Sequence, residues 1–373
     1  MRVLMITPGY YPIKGGAETM VHDLSSELNN NGVNVDVMSF NMDQKWHPHW
    51  RGRIERIDGI TVYKVPAFNW LPRVNSSRVK LGINLIPTGF KHLIKEYDIL
   101  HFHEAEFSFP LFSYFSQKVK ILHLHAFAFN YFKRYHLSRF ILKHISDFYL
   151  SITRQMKNEL IMIGVPKNKI IHFPNSVDAK IFKPGEKKTD DMILYVGRIL
   201  PAKGLHILLT SLKYVERSIH LVVIGPRDWS YEYHHDILRR IEEENQKGKH
   251  RITFLGRVNQ AKLIEYYQKA SVFVLPSLFE PFGIVILESL SCETPVVSTY
   301  AGGIPEIVKN GENGILIPAN NPQRLAEAIN ALLENNGLRE KYGKAGREMV
   351  VKNFSLESSA NKLQKIYERM LKI

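Results

Sequence analysis

The chain's 373 residues suffice for two domains that each bury a core, and 45% apolar with 23% charged content describes an ordinary globular protein. A single cysteine, Cys292, excludes an internal disulfide framework, and no apolar run reaches membrane-spanning length, so a cytoplasmic protein is expected. The net charge of +14 calls for an anionic partner: nucleic acid, an acidic membrane surface or a phosphorylated substrate.

In chain order, Val3 to Ile6 is a short apolar run ahead of Lys14-Gly15-Gly16-Ala17-Glu18, and a helix follows with Met20, Val21, Leu24 and Leu28 on one face until Gly32. A strand, a glycine pair and a helix let backbone approach a phosphate, although turns use glycine more often than ligands do. Strands are predicted at Val33 to Phe40 and Ile60 to Val65, with Pro66 to Pro87 irregular. Two zones carry no carboxylate: Gly59 to Lys95, and Phe107 to Ser146, where cations interleave with aromatic residues such as Phe127, Tyr131 and Phe140. Asp98 to Phe102 and Val119 to Leu124 read as buried strands, and period two puts His101 and His103 on one face, and His123 and His125 likewise. These histidines could ligate a metal with Glu104 or Glu106, but hydrogen-bonded histidines at strand ends are the preferred reading.

A strand at Phe148 to Ile152 leads to a helix at Arg154 to Ile163, and Ile170 to Phe173 leads to Pro174-Asn175-Ser176-Val177-Asp178. The polar run Gly185 to Asp191 is the expected interdomain linker. The next strand, Met192 to Val196, opens onto Gly197-Arg198 and Lys203-Gly204, so two cations flank a strand-to-helix loop. Loop cations are usually solvated; at such a loop they can also grip phosphate. Further strands end at Gly225-Pro226 and at Gly256-Arg257-Val258.

The stretch Pro276 to Val308 holds two carboxylates eight positions apart. Glu280 precedes Pro281 and therefore lies in a loop, while Glu288 falls one turn after Ile284 in a helix that begins beyond Phe282-Gly283. Solvated acids would be the bland reading of the pair, but a second glycine turn at Gly302-Gly303 makes a binding rim the stronger one. A strand at Gly314 to Ile317 and helices at Pro322 to Glu334, Leu338 to Lys352 and Leu356 to Leu371 complete the chain.

The two glutamates, the glycine pair, Pro174-Asn175-Ser176-Val177-Asp178 and the Arg198/Lys203 pair together resemble the retaining glycosyltransferases called group 1 or family 4. The chain departs from that pattern at Ala126, where an acid is usual after the histidine, at Ser176 in place of glycine, at Gly225 without a second glycine, and at Glu293 in place of a small residue. The alternation of strands and helices gives an α/β protein. The resemblance implies the GT-B form: two Rossmann-like, doubly wound parallel-sheet domains facing a central cleft. Residues 1–178 would form the acceptor-side domain, 179–354 the nucleotide-sugar donor domain, and 355–373 a helix crossing back to the first.

The implied reaction is retaining transfer of a sugar from a nucleotide-diphosphate sugar to a hydroxyl acceptor, either a glycan or a lipid-linked or phosphorylated molecule. The cofactor set is empty, with no metal required. Catalytic roles fall to His125, Arg198, Lys203 and Glu280. Substrate binding falls to Gly15, Gly16, Gly256, Arg257, Val258, Phe282, Gly283, Ile284 and Glu288, with Glu288 on the ribose. The basic aromatic zones suit an anionic membrane surface. Rival readings are an epimerase or phosphorylase of the same fold, a histidine-dependent metal enzyme, and a nucleic-acid binder, for which no motif is visible.

Overall fold

The computed structural model describes residues 1–11, 16–43, 47, 49–69, 85–103, 110, 113–114, 116–125, 133, 136–186, 188–226 and 231–372. It divides the chain into two units, Met1–Asn175 with Leu356–Ile373, and Ser176–Ser355. The polar run Gly185 to Asp191, expected as the linker, lies inside the second unit. The Thr189 N–H donates to the Lys269 carbonyl at 2.8 Å, and Lys188 donates to Thr294 at 2.6 Å, so polarity there serves internal hydrogen bonds.

The first unit carries eight strands in one sheet: β1 (Arg2–Thr7), β2 (Asn34–Phe40), β3 (Arg53–Ile57), β4 (Ile60–Val65), β7 (Ile99–His103), β8 (Val119–Leu124), β9 (Phe148–Ser151) and β10 (Ile170–His172). Their order is β10-β9-β8-β7-β1-β2-β4-β3, parallel except for the β3–β4 pair. Strand β3 reads Arg-Ile-Glu-Arg-Ile and is largely exposed; an edge strand needs no buried face, so hydrophobic pattern did not announce it. Inside the stretch expected to be irregular, β5 (Ala67–Asn69) and β6 (Leu85–Pro87) pair as a short antiparallel ribbon.

The core of this unit forms where the helix Gly16–Asn30 and the last helix, Leu356–Met370, cover one face of the sheet. Leu24 and Leu28 of the first helix and Leu363 and Tyr367 of the last are each fully buried there beside Val3 and Met5. Their spacing of four is what places each pair on one helical stripe.

In the second unit the strands are β11 (Met192–Val196), β12 (His220–Ile224), β13 (Arg251–Gly256), β14 (Val272–Leu275), β15 (Val296–Thr299) and β16 (Gly314–Ile317). All pairings are parallel and the order is β13-β12-β11-β14-β15-β16. Buried on both faces, β14 reads Val-Phe-Val-Leu, a continuous apolar run of the kind parallel central strands require. The strand order reverses between β11 and β14, and at such a switch point the carboxyl ends of the strands are where open α/β sheets bind ligands.

Candidate active site

The second unit gathers its candidate residues on three loops. After β11, Leu200 is extended, Pro201–Lys203 forms one 3-10 turn, and Gly204 turns left-handed at φ 72° to start the helix Leu205–Ser211. After β14, the loop from Pro276 runs to Gly283, which caps the helix Ile284–Ser291 at φ 106° without a side-chain cap. After β15, Gly302 adopts φ 53°.

The loops interlock through backbone. Leu278 and Phe279 N–H groups both reach the Ala202 carbonyl, at 2.8 and 3.2 Å, and the Gly303 N–H donates to the Glu280 carbonyl at 3.0 Å. A side chain on Gly204 would meet the Pro276 carbonyl oxygen at 2.0 Å, and one on Gly302 would meet the Glu280 carbonyl oxygen at the same distance. Both glycines are therefore required by close approach and by positive φ together.

This interlock brings Lys203 and Glu280, 77 residues apart in sequence, into an ion pair of 2.6 Å. Their side chains are only 14% and 7% exposed, so the pair is held in a low-dielectric setting where each charge depends on the other. Arg198, five positions before Lys203 in the loop after β11, is exposed. Neighbouring turns are tied in turn: Gly197 N–H donates to the Ile224 carbonyl at 3.0 Å and Gly225 N–H to the Gly256 carbonyl at 2.9 Å. Gly256 is left-handed at φ 66°, Arg257 is exposed and Val258 half-buried.

Two predicted residues sit differently from a simple rim. Phe282 is 2% exposed and its ring packs at 6.2 Å from Phe354, so only its backbone is available to a ligand. Glu288 is half-buried on its helix, with its carboxylate 2.7 Å from the Tyr267 hydroxyl. Burial pushes the Glu288 carboxyl up to about 7, opposed by the Tyr267 hydrogen bond. Tyr267 was not anticipated; it lies on the helix Gln260–Lys269, 21 positions away, and no local motif joins it to Glu288. Ile284 is half-buried in the first turn of the helix behind Gly283.

In the first unit Gly15 lies outside the described residues, and Gly16 is the exposed first residue of its helix. His125 follows β8 directly and is half-buried, with Nε2 3.0 Å from His103 Nδ1 and Nδ1 3.2 Å from the Asn175 amide oxygen. Burial lowers His125 to about 4, against the pull of Asn175, so the ring is neutral near pH 7. Asn175 is the second residue that sequence reasoning left without a role, although Pro174-Asn175-Ser176-Val177-Asp178 had singled out its neighbourhood.

The basic zones are only partly described, and Phe127, Phe129, Tyr131, Phe132 and Tyr135 lie outside the described residues. Two of their cations turn inward: Lys64 is 3% exposed and donates to the Tyr11 carbonyl at 2.7 Å, and Lys120 donates to the Ser116 and Lys118 carbonyls. Lys91, Lys95 and Lys133 are exposed, as is Phe140 at 61%. Among the described residues no helix is long and apolar enough to cross a membrane.

Comparison with known proteins follows the same division. Residues 176–349 match the family described as Glycosyl transferases group 1, and residues 14–180 match Glycosyltransferase Family 4. An uncharacterized glycosyltransferase of Methanocaldococcus jannaschii is 27% identical over 403 residues, covering 99% of this chain and 98% of the relative. Among solved structures, sucrose-phosphate synthase from Thermosynechococcus elongatus superposes with a TM-score of 0.80 at 22% identity, covering 100% of this chain and 99% of that one. Anabaena HepE, in complex with UDP and glucose, gives 0.77 at 17% identity, covering 99% and 100%.

Proposed function

The chain belongs to the group 1, family 4 glycosyltransferases, and we propose that it moves a sugar with retention from a nucleotide-diphosphate sugar to a hydroxyl acceptor, with no metal ion in the transfer step. The observation that carries this reading is the Lys203–Glu280 pair at the strand-order reversal, where open α/β sheets bind their ligands. A lysine ammonium has three donors. One is held by Glu280 Oε2, which leaves two for phosphate oxygens and leaves Glu280 Oε1 to accept from a sugar hydroxyl.

In the proposed reaction the bond between the anomeric carbon and the diphosphate oxygen breaks, and its electron pair leaves with the diphosphate. Lys203, Arg198 and the N–H groups opening the helix behind Gly283 stabilise the charge that develops there. Fixed protein cations thereby do what a magnesium ion would otherwise do. The acceptor oxygen bonds to the anomeric carbon on the face the diphosphate leaves, and its proton passes to a departing phosphate oxygen. Glu288, ionised, accepts from ribose hydroxyls, while Gly256, Arg257 and Val258 lie along the base through backbone groups.

The second unit is assigned the donor, and the first unit, with Gly15, Gly16 and neutral His125, the sugar and acceptor. The acceptor is a glycan or a lipid-linked or phosphorylated molecule, reached from the cytoplasm, with exposed Lys91, Lys95, Lys133 and Phe140 suited to an anionic membrane surface. HepE is solved with UDP and glucose and starch synthase IV from Arabidopsis thaliana with ADP, so uridine and adenine nucleotides are both candidates.

The test is an NMR assay of UDP-, GDP- and ADP-sugars with the full chain in EDTA. Bond cleavage with one base, giving a first-formed product with the donor's anomeric configuration, supports the reading. Inversion, a need for added metal, or epimerised sugar overturns it.

A further inference from the structure

Residues one apart from a strand neighbour point to opposite faces, so His101 and His103 of β7 share a face, as do His123 on β8 and His125 beyond it. The parallel register sets His103 opposite His123, which brings all four rings to the same side of the sheet. There they meet the buried side of the last helix rather than solvent: His101, His103 and His123 are 0%, 2% and 0% exposed, in the same core as Met5, Ile121, Phe173 and Tyr367. The ring centroids of His101 and His103 are 4.3 Å apart, and those of His103 and His123 5.2 Å.

Their hydrogen bonding is incomplete. His101 Nδ1 meets the Tyr367 hydroxyl at 2.6 Å, but among the described residues its Nε2 is buried with no hydrogen-bond partner, and neither ring nitrogen of His123 forms a well-made hydrogen bond. Among the described residues, the contact of His103 Nε2 is with the Met5 thioether, at 3.2 Å. An apolar core would hold leucines at these positions more cheaply, because a buried polar atom without a partner loses its water with no return. Neutral imidazole is the ligating form.

We propose that His101, His103 and His123, with the Met5 thioether beside them, form a buried site for one late first-row transition-metal ion, zinc(II) or copper(I). The three residues each offer a ligand nitrogen, all within 4.8 Å of one another. Tetrahedral coordination at 2.0–2.1 Å sets ligand atoms roughly 3.3 Å apart, so ring rotations of roughly 1.5 Å at most close the set around an ion. Imidazole suits both metals and the thioether favours copper(I). The Tyr367 hydroxyl orients His101 from behind, as outer partners of metal-bound histidines do. Closed to solvent, such an ion fastens β1, β7, β8 and the last helix of the unit to one another and takes no part in sugar transfer; brief EDTA treatment leaves it in place.

The experiment is elemental analysis of the full chain after desalting, then stripping with chelator and reloading with zinc(II), copper(I) under reductant, or cobalt(II) as a spectroscopic probe. About one equivalent of zinc or copper per chain is expected, with cobalt(II) giving the visible absorption of a low-coordinate site. His123→Asn should abolish uptake. Should that variant fail to fold, Tyr367→Phe keeps the ring packing and is expected to weaken affinity by roughly 10–100-fold. Folded protein that takes up neither metal overturns the proposal, and so does full uptake by folded His123→Asn or native affinity in Tyr367→Phe.

Discussion

Glu288 carries a charge whose state depends on folding. Its carboxyl rises from 4.5 to about 7 in the folded chain because burial disfavours the anion more than the Tyr267 hydrogen bond favours it. Between these values the folded state binds more protons than the unfolded one, so this group's contribution to stability is full below about pH 4.5 and is lost as pH rises through about 7. Glu288→Gln removes the penalty. Denaturant unfolding at pH 5 and pH 8 should show the variant gaining on the native protein at the higher pH; an unchanged difference between the two would contradict the burial argument. The same titration bears on function, since an anion accepts ribose hydroxyls better than a neutral acid does. Nucleotide affinity should therefore rise through pH 7 in the native chain and stay flat in Glu288→Gln.

At the scale of elements, the site depends on three loops that fit only because glycine stands where they touch. Gly302 is the sharpest case, with φ 53° and the Glu280 carbonyl oxygen 2.0 Å from where a methyl group would sit. The obstructing atom is backbone and is already bonded to the Gly303 N–H, so it cannot swing aside as a side-chain end could. Gly302→Ala should cost about 2–4 kcal/mol from overpacking and left-handed strain together, and it should weaken donor binding because Glu280 moves. Denaturant unfolding within about 0.5 kcal/mol of native, the level of an ordinary surface change, would contradict this. Glu293 shows the converse: it is left-handed at φ 55°, and its carbonyl oxygen stands 2.3 Å from where a side chain on Gly343 would begin. The position that usually carries a small residue is strained here, in keeping with the departure noted in the sequence.

Over the whole molecule, periodicity and glycine placement carried most of the architecture. Val-Phe-Val-Leu before Pro276, and Met-Ile-Leu-Tyr-Val before Gly197, announce buried parallel strands followed by ligand-ready turns. What sequence could not carry is pairing across topology. Lys203 and Glu280 meet because β11 and β14 are neighbours despite two strands between them in the chain, and Asn175 reaches His125 across 50 positions. The four histidines were legible as two pairs on strand faces, but their convergence needs the β7–β8 register. The linker was misplaced for a physical reason: Lys188 and Thr189 are polar because they hydrogen-bond inward.

If the second unit holds a nucleotide diphosphate on protein cations at its strand-order reversal, calorimetric titration of UDP, GDP and ADP into the full chain in EDTA reads it out directly. Arg198 is exposed, so Arg198→Met leaves the fold intact while removing a charge-assisted hydrogen-bond donor. One nucleotide should bind the native chain, and roughly 10–100-fold more weakly to Arg198→Met. No binding of any of the three, or equal affinity in the variant, would contradict the account.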